Sequence, residues 1–127
     1  MLLDMSAECE IYFQNNWTAT SIEFPDMTLP TTSLDSYISL NFYPITNQRI
    51  GVDGTSNGRI AYHGMSQVLC YHKSKKLALK LADDIKTFFQ GQQLPKDINV
   101  DIGIDYPAIQ LDTFFECKVT FRVSQYS

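Results

Sequence analysis

The chain has 127 residues, a length that fits one domain, and 44% of them are hydrophobic, so it can bury a core of its own. Its formal net charge is −4, with a sequence pI of about 4.9. The densest basic run is Lys73, Lys75 and Lys76, which argues against the positive face that broad nucleic-acid binding requires.

Residues Leu2 to Asn16 predict a helix, with Met5, Cys9, Tyr12 and Phe13 forming one apolar stripe. Residues 17–36 hold Pro25, Pro30 and many hydroxyls and predict an extended linker with a short strand near Thr20 to Phe24. Two prolines keep that strand out of the middle of a sheet. Tyr37 to Tyr43 predicts a strand, because Ile38, Leu40 and Phe42 alternate with Ser39 and Asn41; Pro44 is expected to end it. The stretch GVDGTSNGRIAYHG, residues 51–64, opens a second long strand, RIAYHGMSQVLCYH, in which Gly64 is expected to mark a bulge.

Ser74 is a good N-cap for the next helix, with Leu77, Leu81, Ile85, Phe88 and Phe89 on its apolar face and Gly91 as its stop. Ile98, Val100, Ile102 and Ile104 alternate with polar residues and predict a strand with one buried face. DYPAIQLD reads as a turn or crossover. Phe115, Cys117, Val119, Phe121 and Val123 predict the last strand in the same way. The expected fold is α+β: a mainly antiparallel sheet of four or five strands with two helices packed on one face. The whole of 1–127 reads as one domain with a long flexible loop at about 45–59.

The glycine-rich stretch resembles a cation loop only in part. Asp53, Thr55, Asn57 and Gly58 match the first half of an EF-hand spacing, but Gly64 stands where the bidentate carboxylate belongs. It is no phosphate loop either, since a strand pattern comes after it and no helix N-terminus points at an anion. A long hairpin loop is the reading that remains. His63, Cys70 and His72 are too few for zinc, and an unbroken strand puts His63 on the opposite face from the other two. They read as surface or edge histidines. Cys9, Cys70 and Cys117 lie far apart, without a CxxC, and predict three reduced, buried thiols. Asp83 and Asp84 adjoin on a helix and solvate it, with Lys80 and Asp84 one turn apart. Asp101 and Asp105 share a strand face but stand about 13 Å apart. No catalytic constellation and no cofactor site emerges.

No apolar run reaches the ~20 residues of a membrane span. Asp4, Glu8 and Glu10 break the pattern of a signal peptide, so the chain is expected to stay in the cytoplasm where it is made.

The stretch SNGRIAYHGMSQVLCYHKSKKLALKLADDIKTFF has a layout of its own: an arginine before a glycine at the start of a strand, then a short turn, then a helix ending LADDIKTFF. It resembles the tail-terminator family of long-tailed bacteriophages, the group similar to the phage lambda tail terminator. The positions that carry the resemblance are Arg59, Gly64, Leu77 or Ala78, Leu81, Ala82, Asp83, Ile85, and Phe88 or Phe89. The order of elements along most of the chain agrees with it. The resemblance implies a structural virion protein without catalysis or cofactor. It implies a hexameric ring on the head-proximal end of the tail tube, which ends tube polymerisation and offers a surface to the head-completion or connector protein. DNA would pass through the lumen without specific binding, and no membrane is involved. The protein would be assembled in the host cytoplasm and reside in the virion tail. In that ring the loop at 47–59 reaches a neighbour, and Arg49, Asp53, Asn57 and Arg59 are the candidate interface residues. Deleting Gly51 to Gly58 is expected to leave a folded monomer and abolish the ring. The alternatives are another neck, head-completion or connector protein, and a small ligand-binding α+β domain.

Overall fold

The computed structural model describes residues 2–30, 33–50 and 59–126, with the backbone alone at 2–3, 46–50, 59–61 and 126. Helix α1 spans Leu2–Asn16 and helix α2 spans Lys75–Phe89. The strands are β1 (Ser21–Glu23), β2 (Ser36–Ile50), β3 (Arg59–His72), β4 (Gln93–Leu94), β5 (Ile98–Val100), β6 (Ile104–Asp105), β7 (Ile109–Gln110) and β8 (Phe115–Tyr126).

They form one curled sheet of eight strands, not the four or five expected. The α+β class is compatible with it; the strand content is higher. The order is β1-β2-β3-β8-β5-β4, with β6 and β7 also paired to β8. The long strands β2, β3 and β8 are antiparallel, whereas β1 joins β2 in parallel at the edge. The additional strands β4 and β7 are two-residue pieces, and β6 is the far part of the strand expected from Ile98 to Ile104, split from β5. Tertiary pairing alone makes β4 and β7 strands, so no period in the sequence announces them.

Both helices cover one face of the sheet, the inner one. From α1 come Met5, Cys9 and Phe13, and from α2 come Ala78, Leu81, Ala82, Ile85 and Phe89. Ile38, Leu40, Val68, Cys70, Cys117, Val119, Phe121 and Val123 meet them from the sheet. Phe89 is the hinge of this contact: its ring lies 4.8 Å from Phe13 and 4.9 Å from Phe121, centroid to centroid. The α2 stripe is rotated from the expected one. Small Ala78 and Ala82 let the helix approach the sheet, and Leu77 is left exposed. Ser74 caps α2 by accepting from the Leu77 amide at 3.5 Å. Gly91, at φ +73, comes after the helix in the left-handed conformation that glycine adopts without strain.

Two places depart from clean alternation. Pro44 does not end β2. Pro44 pairs with Gly64 and Thr46 with His63, so Ile45 is an extra residue and the bulge lies on β2, opposite Gly64. The second departure lies along β8. From Val100 to Ile104 is four steps, while their partners Val123 and Thr120 are three apart. The extra residue turns Ile102 and Ile104 to solvent and brings Gly103 inward. The strand expected to run through Ile104 with one buried face is therefore two strands facing opposite ways.

Candidate assembly surface

Among the described residues, no helix covers the outer face of the sheet. Its cross-strand rows are Tyr37–Tyr71–Glu116–Ile109, then Ser39–Leu69–Lys118, then Asn41–Gln67–Thr120–Ile104. In the first row Tyr37 and Tyr71 stack at 4.5 Å, and Phe114 sets its edge against both. The Tyr71 hydroxyl donates to Glu116 Oε2 at 2.8 Å. Burial, then that hydrogen bond, holds the Tyr71 phenol well above the usual tyrosine range. Beside them, the Lys118 ammonium sits 4.7 Å from the centre of the Tyr106 ring. Tyr106, Pro107, Ile109, Glu116 and Lys118 line an open hollow of about 300 Å³.

The margins of the sheet are where apolar side chains meet solvent. On one side, residues 102–111 present Ile102 (75% exposed), Ile104 (60%), Tyr106, Ile109 (57%) and Leu111. β6 and β7 pair with β8 and with no other described strand. On the other side, β1 pairs with β2 only along Tyr37–Ser39. Beyond it, no described strand flanks β2, and Tyr43 and Ile45 are about half exposed there. An unpaired apolar edge invites another chain, and among the described residues this sheet carries two, on opposite sides of the β2–β3–β8 ladder.

Of the residues expected at the interface, Asp53 and Asn57 lie outside the described residues. Arg49 and Arg59 fall on neighbouring rows of the β2–β3 ladder, Arg49 opposite Ile60 and Arg59 opposite Ile50. The pattern does not mark the 102–111 margin as exposed, because Ile102 and Ile104 alternate as a buried strand would and Ile109 lies in a stretch that reads as a turn or crossover.

His63 differs from the expectation of a surface or edge histidine, whereas His72 stands at the end of β3 and is half-buried. His63 is buried, with Nδ1 3.0 Å from Ser124 Oγ on the neighbouring strand. His72 Nδ1 accepts from the Ser74 amide at 3.0 Å and so belongs to the turn before α2. Among the described residues, no three His, Cys, Asp or Glu side chains are grouped to hold a metal ion. Lys80 and Asp84 pair at 3.2 Å along α2, and Asp105 pairs with Lys86 at 3.2 Å. The same extra residue that turns Ile104 outward takes Asp105 to the helix side. No described helix is long and apolar enough to cross a membrane.

No family model and no curated protein matches the chain. Solved structures do share its fold. One, whose name carries no functional description, superposes with a TM-score of 0.66 over 98% of this chain and 95% of its own length, at 12% identity. A likeness at that identity shows the fold alone.

Proposed function

We propose that the chain is a structural virion protein of the tail-terminator kind, which acts by closing a ring. The observation that carries the reading is the pair of open apolar margins, Tyr43–Ile45 on β2 and Ile102–Leu111 along β8. A closed ring is built from heterologous contacts, in which one surface of each copy meets a different surface of the next. Two dissimilar sticky margins on opposite sides of one sheet meet that requirement.

In this reading six copies form the ring on the head-proximal end of the tail tube. The ring stops polymerisation and presents its far side to the head-completion or connector protein. The acidic balance, −4 per chain, suits a lumen that DNA crosses without adhering. Assembly takes place in the host cytoplasm and the protein ends in the virion tail. The reading assigns the chain no catalytic step and no cofactor.

The test is molar mass in solution, by light scattering after size exclusion across a range of concentrations, together with binding to purified tail tubes. A hexamer, or a monomer that becomes one at high concentration or on tube ends, supports the proposal. A chain that stays monomeric throughout and ignores tube ends overturns it.

A further inference from the structure

In the β3–β8 ladder, Cys70 stands directly opposite Cys117. Both thiols are fully buried on the inner face, next to the Val68–Val119 pair. Directly opposed residues in an antiparallel pair have Cα atoms about 4.5 or about 5.5 Å apart, according to whether they share ladder hydrogen bonds. A disulfide accepts Cα separations of about 4.4–6.8 Å. Either case lies inside that window; the Cβ atoms of opposed residues stand about 4.5–5.5 Å apart, at or just beyond the ~3.5–4.5 Å that a disulfide takes, so a bond between the two sulfurs needs side-chain rotation and an approach of the strands by up to about 1 Å. The third thiol, Cys9, sits in the other layer, on α1.

We propose that Cys70 and Cys117 form a disulfide site, oxidised by a low-molecular-weight disulfide such as oxidised glutathione. This inference is independent of the ring. One cysteine thiolate attacks a sulfur of the oxidant, forming a mixed disulfide and releasing one glutathione. The second cysteine then attacks the mixed disulfide and releases the other glutathione. The cysteine pair gives up two electrons, the oxidant takes them, and two thiols are made for the two consumed.

The timing is set by burial. Burial is the main cause that pushes both thiols up, so in the closed core neither is an effective nucleophile at neutral pH. Exchange therefore proceeds while the chain folds, or when β3 and β8 part, and closure of the native ladder then selects Cys70 with Cys117. The bond would enclose α2 and the short strands β4 to β7 in one covalent loop and restrict the unfolded chain.

The experiment refolds the unaltered chain in glutathione buffers of increasing oxidised fraction. Free thiols are then alkylated in denaturant and located by peptide mapping, with near-ultraviolet circular dichroism and Tm measured on parallel samples. The expected product has Cys70 joined to Cys117, Cys9 alkylated, an unchanged near-ultraviolet spectrum, and a Tm higher by roughly 10 °C than the reduced chain. Three alkylated thiols at every ratio overturn the inference. So does a bridge to Cys9, or a Cys70–Cys117 bridge that abolishes the native spectrum.

Discussion

Gly64 lies beneath the ring of Phe42 so closely that a Cβ at position 64 would collide with Cζ of that ring. Among the described glycines only Gly91 has a positive φ, so at Gly64 the constraint is space and not backbone conformation. Phe42 packs against the core from β2, just before the Ile45 bulge. Gly64→Ala must push the ring aside and is expected to cost about 1–3 kcal/mol. In a Phe42→Leu background the same change is expected to cost less than about 1 kcal/mol, because the shorter side chain can yield. Urea denaturation of the four chains measures both. Equal costs in the two backgrounds would show that the ring is not what excludes the methyl group.

Phe89 joins the two helices to the sheet through Phe13 and Phe121. It is fully buried, and no small movement can fill the space its ring occupies. Phe89→Ala is expected to cost about 3–5 kcal/mol, a large share of a marginal total of about 5–15 kcal/mol. The chemical denaturation midpoint should fall accordingly. A loss below about 1 kcal/mol would mean that the α1–α2–sheet junction is not packed as described.

The Tyr71–Glu116 pair sets an alkaline limit. Folding raises the Tyr71 pKa, first by burial and then by the hydrogen bond it donates to Glu116. An unfolded tyrosine ionises near about pH 10. Below that value both states hold the proton and the stability is fully present. As pH rises through it the unfolded chain releases a proton that the native state retains, and stability falls. Tyr71→Phe should flatten the decline between about pH 10 and 11.5. A decline of unchanged steepness in the variant would assign it to other groups, with Tyr37 and Tyr12, also raised by burial, next in line.

Much of this fold is written in local pattern. The two helices begin and end where stripe and caps place them, and Met5, Cys9 and Phe13 go inside as their spacing demands. The failures share one cause. Alternation tells which face a residue takes only while no residue is inserted in the ladder. Ile45 is such an insertion, and so is the one between Val100 and Ile104. Each reverses the parity of the residues beyond it. Gly103 is the signal that the pattern offers: a Cβ there would lie 2.6 Å from Cε1 of Phe121, so a glycine in an isoleucine run marks where the chain crosses the core side. The opposition of Cys70 to Cys117 is a matter of register between distant strands, which no single-strand pattern encodes. The open margins are likewise invisible until the strand order is known.

The heterologous contact proposed for the ring has a signature that a symmetric dimer lacks. Ile104→Lys damages the margin along β8, and Ile45→Lys damages the margin on β2. Both side chains are at least half exposed, so each change is expected to leave monomer stability within about 0.5 kcal/mol. Each variant alone loses one of the two surfaces every copy needs, and should stay monomeric where the unaltered chain assembles. Mixed together, they can still form one contact: the intact β2 margin of the Ile104→Lys chain meets the intact β8 margin of the Ile45→Lys chain. Growth then stops, because both outward surfaces of the pair are defective. Light scattering of the mixture should therefore report a heterodimer and nothing larger. An isologous contact through one margin gives a different result: one variant assembles normally by itself, and mixing changes nothing. That outcome would remove the two-margin basis for the ring.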